Sequence, residues 1–194
     1  MDTSLEKTLT LNHAAYGVSI NWPAGKLTGE TILKSRKVYA DLKALFVEQQ
    51  NVPPPDQEIY RVEWYAPAPT GKIGGLLWGV THLQPGTVGD EYFMTHGHFH
   101  ADSTRDEYYI VASGKGLLLQ MDRSGHTWAQ EMPAGSISYI DGKHAHRVVN
   151  VGDESLVFWA CWGTDAGYDY DTIARDGFGL RVMKLDGKPV LVGR

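Results

Sequence analysis

Imidazoles and one carboxylate recur in this 194-residue chain at spacings that suit metal chelation. His98 and His100 stand two apart in THGHFH, Glu107 opens the later run EYYIVASG, and GKHAHRVVN carries His144 and His146, again two apart. Residues two apart on a strand point to the same face, so His98 and His100 project together. Two such imidazoles can chelate a divalent ion if further ligands come from elsewhere on the same concave surface. Glu107 is well placed for this if ADSTRD forms the intervening turn, and the second histidine pair offers another ligand. Any one of the eight histidines alone is more simply a surface or hydrogen-bonded core residue; the combination carries the reading. Neutral imidazoles with one carboxylate suit Fe(II), Mn(II), Ni(II) or Zn(II), and the absence of thiolates argues for an open, catalytic coordination sphere over a closed structural zinc site. His96 would share the face of His98 but for the intervening Gly97.

The elements that must hold these residues are strands. EIYRVEWYA, GGLLWGVTHLQ, EYFMTHGHFH, EYYIVASG, KGLLLQMD, HTWAQEM, SISYID, HRVVNVG and SLVFWACWG are short runs rich in aromatic and β-branched residues, with glycine- and proline-containing gaps between most of them. So many strands in a short span predict an antiparallel double sheet or barrel. Before them, TGETILKSRKVYADLKALFVEQQ places Ile32, Leu33, Val38, Leu42, Leu45 and Phe46 close to a helical stripe, and NVPPPDQ ends that predicted helix. After them, DTIARDGFG reads as a short helix and LRVMKLDGKPVLV as a hairpin turning at Asp186-Gly187.

Composition narrows the partners. Lys+Arg 18 against Asp+Glu 23 leaves a net charge of −5 without long like-charged blocks, so the chain has no electrostatic footprint for nucleic acid or an anionic membrane. A small-molecule partner is expected. Cys161 is the only cysteine and lies in an apolar run, which predicts a buried, inert thiol and fits a reducing compartment. MDTSLEKTLTLNH lacks a signal-peptide pattern, no apolar run approaches the roughly 20 residues that span a bilayer, and a cytoplasmic protein is expected.

On these residues the chain resembles a known family. His98-Phe99-His100, Glu107 and Gly114 are similar to the first cupin motif, and Gly135, His146 and Asn150 to the second. EYFMTHGHFHADSTRDEYYIVASGKGLLLQ, MPAGSISYIDGKHAHRVVNVGDE and TDAGYDYDTIARDGF resemble the archaeal-type, cupin phosphoglucose isomerases, over about Tyr60 to Val192. Glu107 lies further from His100 than in most cupins, as in that family.

The resemblance implies an all-β fold, a single cupin barrel or jelly roll of antiparallel strands with an N-terminal helix and a short C-terminal helix. Residues 1–57 would form an arm and helix packed on the barrel and 58–194 the metal-binding cupin, one structural domain overall. It implies one divalent metal per subunit, Fe(II) foremost, on His98, His100, Glu107 and His146, with His144 outside. Sugar-phosphate contacts would fall on Thr81, Thr95 and Gly97 with Tyr60 nearby, and His96 would stand at the phosphate edge where the family commonly has lysine. Glu107, Tyr109 and Tyr168 would be catalytic, Tyr168 standing where the family's A-G-H-D-Y segment has histidine, and Trp162 where it often has tyrosine. The implied activity is interconversion of glucose 6-phosphate and fructose 6-phosphate by a homodimer, through a cis-enediol or a hydride shift, with mannose 6-phosphate as a further substrate. The alternatives are a cupin iron dioxygenase and a non-catalytic sugar- or metal-binding cupin.

Overall fold

A computed structural model describes residues 17–47 and 50–194. The stretch read above for a leader pattern lies outside the described residues. The chain begins with a hairpin, β1 (Val18–Asn21) and β2 (Lys26–Gly29), followed by β3 (Ile32–Val38) and the one-turn helix α1 (Tyr39–Leu42). Then come β4 (Glu58–Tyr65), β5 (Leu76–Leu83), the two-residue strands β6 (Thr87–Val88) and β7 (Glu91–Tyr92), β8 (Glu107–Ser113), β9 (Lys115–Met121) and β10 (Thr127–Pro133). The chain continues through β11 (Ile137–Ile140), β12 (Ala145–Asn150) and β13 (Leu156–Gly163) to α2 (Tyr170–Asp176), and closes with β14 (Leu180–Leu185) and β15 (Lys188–Gly193).

The strands make an antiparallel barrel, the architecture expected from the sequence. Six run in the order β11-β8-β13-β5-β4-β3, facing a sheet of β10-β9-β12 that is extended by bridges from Met94 to Val149 and from His98 to His146. A four-stranded sheet, β15-β14-β7-β6, completes the walls. One end is packed solid with Leu83, Val88, Phe93, Leu118, Val148 and Leu156, all buried. The last hairpin turns as its sequence predicts, with Asp186 and Gly187 both in the left-handed region (φ 50° and 75°).

The alternation along each strand separates two faces of the six-stranded sheet. The inner face reads, across the register, Ser35–Val62–Thr81–Phe158–Val111 in one row and Leu33–Trp64–Gly79–Ala160–Tyr109 in the next. On the outer face a smaller core of Leu27, Val80, Val157 and Trp159 lies beneath the β1–β2 hairpin. Trp159 is fully buried there and stacks against Trp22 at 5.2 Å and Trp78 at 6.3 Å. Trp159→Ala is expected to destabilise the fold by about 3–5 kcal/mol, read as a lower urea midpoint, because both transfer energy and packing are lost. The inner face would keep its chemistry, so metal binding by the folded fraction should be retained.

The helix expected from Thr28 is largely strand. Only Tyr39–Leu42, followed by a 3-10 turn over Lys43–Leu45, is helical, and Asp41 Oδ2 accepts a hydrogen bond from the Val38 N–H at its start. Ile32–Val38 instead pairs with β4 as the sheet's edge strand. An edge strand with much of its length exposed carries little of the alternation that marks a half-buried one, so the apolar residues at its two ends mimicked helical spacing. EYFMTHGHFH is also less regular than a strand: after β7 its only strand-like pairings among the described residues are the isolated bridges at Met94, His98 and Phe99. Gly97, with φ 74°, interrupts it.

Candidate metal centre and adjoining cavity

The open end of the barrel gathers the imidazoles. His98 and His146 face each other as an antiparallel bridge, each N–H donating to the other's carbonyl at 3.3 and 3.0 Å, so their side chains leave the backbone on one side. Their rings lie 4.5 Å apart between centroids, and the His100 ring is 5.6 Å from His98 and 5.2 Å from His146. Glu107, the first residue of β8, projects into the same group, with Oε2 3.2 Å from His100 Nε2 and 3.3 Å from His146 Nε2. One ligand atom from each of these four residues falls within 4.8 Å of the others.

The surroundings orient these groups. The ADSTRD segment does make the turn between His100 and Glu107: Asp102 Oδ1 accepts from the Thr104 N–H and hydroxyl, and Arg105 is clamped by Asp165 at 2.8 Å. The Arg105 carbonyl accepts a 2.5 Å hydrogen bond from His100 Nδ1, which directs Nε2 into the cluster, the outer-shell arrangement typical of a ligating histidine.

Electrostatics and hydrogen bonding both test whether the group fits a metal. Burial pulls the His98 imidazole well below its ordinary pKa, with His146 and His100 adding to the effect, so its ring stays neutral with a lone pair available. Burial works against the Glu107 carboxylate, but hydrogen bonding and attraction from His100 and His146 outweigh it and hold the pKa below the usual value. Conversely, Glu107 raises the pKa of His100 despite its burial. His98 Nε2 and His146 Nδ1 are buried without a hydrogen-bond partner among the described residues, and His146 Nε2 has only the Glu107 carboxylate at 3.3 Å. Orphaned buried nitrogens are costly, and a divalent cation drawing on their lone pairs would remove much of that cost. The donor set therefore fits a metal of the nitrogen-and-oxygen-liganded kind, and the cluster could hold one.

Beside the cluster lies a cavity of about 280 Å³. His98, His146 and Glu107 line it, whereas His100 stands behind them. Tyr60, Thr81, Thr95, His96, Gly97, Tyr109 and Tyr168 all border it, so every residue expected at a substrate site opens onto one space. Thr95 Oγ1 accepts the Val148 N–H at 3.0 Å, which leaves its own proton for another acceptor. Gly97 is required by its left-handed backbone and by space: a Cβ there would meet Phe178 at 2.9 Å and the His146 carbonyl at 3.0 Å. His96 turns Nδ1 to its neighbour's carbonyl at 2.9 Å and packs edge-on to Tyr170.

The tyrosines close the cavity. Burial raises the Tyr109 hydroxyl well above its ordinary pKa, with the Glu107 charge adding to it, so Tyr109 stays protonated. Tyr60 is pushed to about 12, chiefly by burial. Tyr168 packs edge-on to His98 at 5.0 Å and stacks on Tyr170 at 5.6 Å. Trp162 Nε1 donates to the Tyr168 hydroxyl at 3.0 Å, so the residue standing where the resemblance has tyrosine makes a hydrogen bond of its own.

Two expected bystanders stay outside. His144 packs against Trp128 at 4.9 Å, away from the cluster. Cys161 is partly buried, and burial pushes its thiol pKa up. Sequence reasoning missed Ser35, Lys37, Trp64 and Tyr170, which also line the cavity. The Tyr168-x-Tyr170 spacing was a usable signal for the last. Nothing local marked Ser35 and Lys37, because they were read as helix.

Comparison with known proteins identifies relatives of the chain. A family model described as Glucose-6-phosphate isomerase (GPI) matches residues 35–192. The glucose-6-phosphate isomerase of Thermococcus litoralis is 37% identical over 180 residues, covering 91% of this chain and 93% of that protein. That of Pyrococcus horikoshii is 38% identical over 181 residues, covering 91% and 93%. Among solved structures, the oxalate decarboxylase of Lactobacillus farciminis in complex with formate aligns with 61% of this chain at 19% identity and a TM-score of 0.45, the match spanning 32% of that chain.

Proposed function

The chain belongs to the glucose-6-phosphate isomerase family, and from that membership we infer that it interconverts glucose 6-phosphate and fructose 6-phosphate with a divalent metal on His98, His100, Glu107 and His146. The observation that carries the reading is the opening of this cluster onto a cavity walled by Tyr60, Thr81, Thr95 and Gly97. Its volume, about 280 Å³, is near the lower end of the about 300–1,000 Å³ typical of small-molecule sites and suits a hexose phosphate.

A bound metal would supply a Lewis acid beside the substrate's O1 and O2, stabilising the negative charge that develops there. The protein's own groups do the rest. Glu107, kept ionised by its histidine neighbours, takes the proton from C2 as the electron pair moves into a C1–C2 double bond and O1 gains a proton. The resulting cis-enediol collapses when Glu107 returns its proton to C1 and the O2 proton leaves. Tyr109, kept protonated by burial and by the Glu107 charge, borders the same cavity and has its proton available to the reacting groups. The Tyr168 hydroxyl, with Trp162 donating to its oxygen, turns its own proton elsewhere, toward oxygens of the opening sugar ring. Thr81, Thr95 and the Gly97 N–H hold the phosphate, whose remote binding energy orients the reacting end.

Fe(II) is the metal we assign first, with Mn(II), Ni(II) or Zn(II) able to use the same donors. Mannose 6-phosphate is a further substrate on this reading, since C2 stereochemistry is lost in the enediol. The active form is a cytoplasmic homodimer; exposed Tyr108, Ile137 and Tyr139 on neighbouring β8 and β11 offer apolar surface for a second copy.

The reading is tested with metal-loaded protein and fructose 6-phosphate, following glucose 6-phosphate by a coupled assay in a cell fitted with an oxygen electrode. Glucose 6-phosphate is expected to form at a steady rate with no oxygen consumed. Oxygen uptake without sugar isomerisation would point to the dioxygenase alternative, and binding without turnover to a non-catalytic cupin.

A further inference from the structure

Taking the sugar-phosphate isomerase reading as its premise, we infer that Lys37, on the edge strand β3, is the charged phosphate contact that sets the preference for phosphorylated substrates. Lys37 is paired in register with Tyr60, so the two side chains leave the sheet on the same, cavity-lining face. It is the only lysine or arginine among the described residues that line the cavity. The alternation of β3 sorts its cations by role: Lys34 and Arg36 point the other way and bind Glu63 and Glu58, each at 3.0 Å. No carboxylate lies within ion-pair distance of Lys37 among the described residues. Its charge also reaches His96, which stands between Thr95 and Gly97.

The rest of the wall makes such a cation necessary. Tyr60, Thr81, Thr95 and the Gly97 N–H are neutral donors, and Glu107 is a carboxylate in the same cavity. A phosphate monoester brings a charge of about −1.5 to −2 at neutral pH. Removing it from water without a counter-charge is expensive, and charge-assisted hydrogen bonds are about twice as strong as neutral ones. Arg147 does not fill this role directly, because it is buried behind the wall with Nε and Nη2 on the His96 carbonyl at 3.2 and 2.6 Å. Its guanidinium holds the turn that presents Thr95 and Gly97, and Lys37 faces that turn from the opposite strand edge.

The test compares Lys37→Met and Lys37→Arg with wild type, all metal-loaded. KM for fructose 6-phosphate should rise about 10- to 100-fold in K37M, the loss expected for a hydrogen bond to a charged group, with kcat within about threefold and K37R close to wild type. Competitive inhibition by inorganic phosphate should weaken in parallel, while the thermal midpoint should change little, because half-buried Lys37 makes no ion pair among the described residues and methionine keeps most of its aliphatic stem. A folded K37M with unchanged KM and unchanged phosphate inhibition would overturn the inference. If wild type failed to isomerise the sugar, the premise would fall separately; calorimetry with inorganic phosphate would then still support the anion site if K37M lost the binding, and refute it if both proteins bound alike.

Discussion

Substituting His146 by alanine is expected to reduce isomerase activity to background, a loss of at least about a thousandfold, and the same loss should follow when wild type is stripped with a chelator. Altering a group that merely orients a metal ligand costs about 10- to 100-fold, and removal of a ligand must exceed that. Adding Fe(II) or Mn(II) should restore the stripped wild type and leave H146A inactive. Stability gives an independent readout. Among the described residues His146 Nδ1 is buried without a hydrogen-bond partner and Nε2 has only the Glu107 carboxylate at 3.3 Å, so the metal-free variant sheds an unsatisfied polar atom along with one long contact and some packing and should melt close to metal-free wild type. The metal, however, should raise the melting temperature of wild type alone. A ligand at a thousand times its Kd adds about 4.1 kcal/mol, which is readily seen as a thermal shift. Equal metal-induced shifts in both proteins would remove His146 from the coordination set.

Glu107→Gln is expected to lower kcat by about 10²- to 10⁴-fold, the usual contribution of a positioned general base. The side chain keeps its size and stays buried between His100 and His146, so the folded structure should survive. What changes is the charge: the amide cannot take the C2 proton, and it also holds a cation less well. Metal content must therefore be measured on the same sample, and the comparison made at saturating metal. Turnover in D₂O separates the two hydrogen-transfer routes in wild type. Proton transfer through Glu107 predicts deuterium in the carbon-bound positions of the product, since the carboxylic acid exchanges with solvent between steps. A direct hydride shift predicts none, and would leave Glu107 as a metal ligand only. In that case E107Q should lose activity in proportion to lost metal and recover at high metal concentration.

The legible parts of the molecule were those written in short-range pattern. From β4 to β13, apart from the two-residue β6 and the irregular run after β7, the strands lie where runs rich in aromatic and β-branched residues were bounded by glycine- and proline-containing gaps, and the Asp186-Gly187 turn was readable from two residues. His98, His100 and Glu107 were found because strand alternation and one turn bring them together within ten residues. His146 was found by its repetition of the spacing two residues apart and by resemblance. The bridge that sets it against His98 was not visible, because it joins segments far apart in the chain. Strand β3 failed for a related reason. Its exposed edge position removed the alternation that would have identified it, and with it went Ser35 and Lys37.

Local chemistry in the chain was thus enough for the barrel class and the ligand types, because each follows from a period of two residues and the turns between strands, whereas the expected cavity-wall residues came from the family resemblance. The fold alone decided which strands became neighbours. That choice turned Trp162 onto the Tyr168 hydroxyl, left His144 against Trp128, and set Lys37 opposite Tyr60 at the rim. Pairing across a sheet depends on long-range register and on which faces can be buried together, and neither is encoded in any one segment.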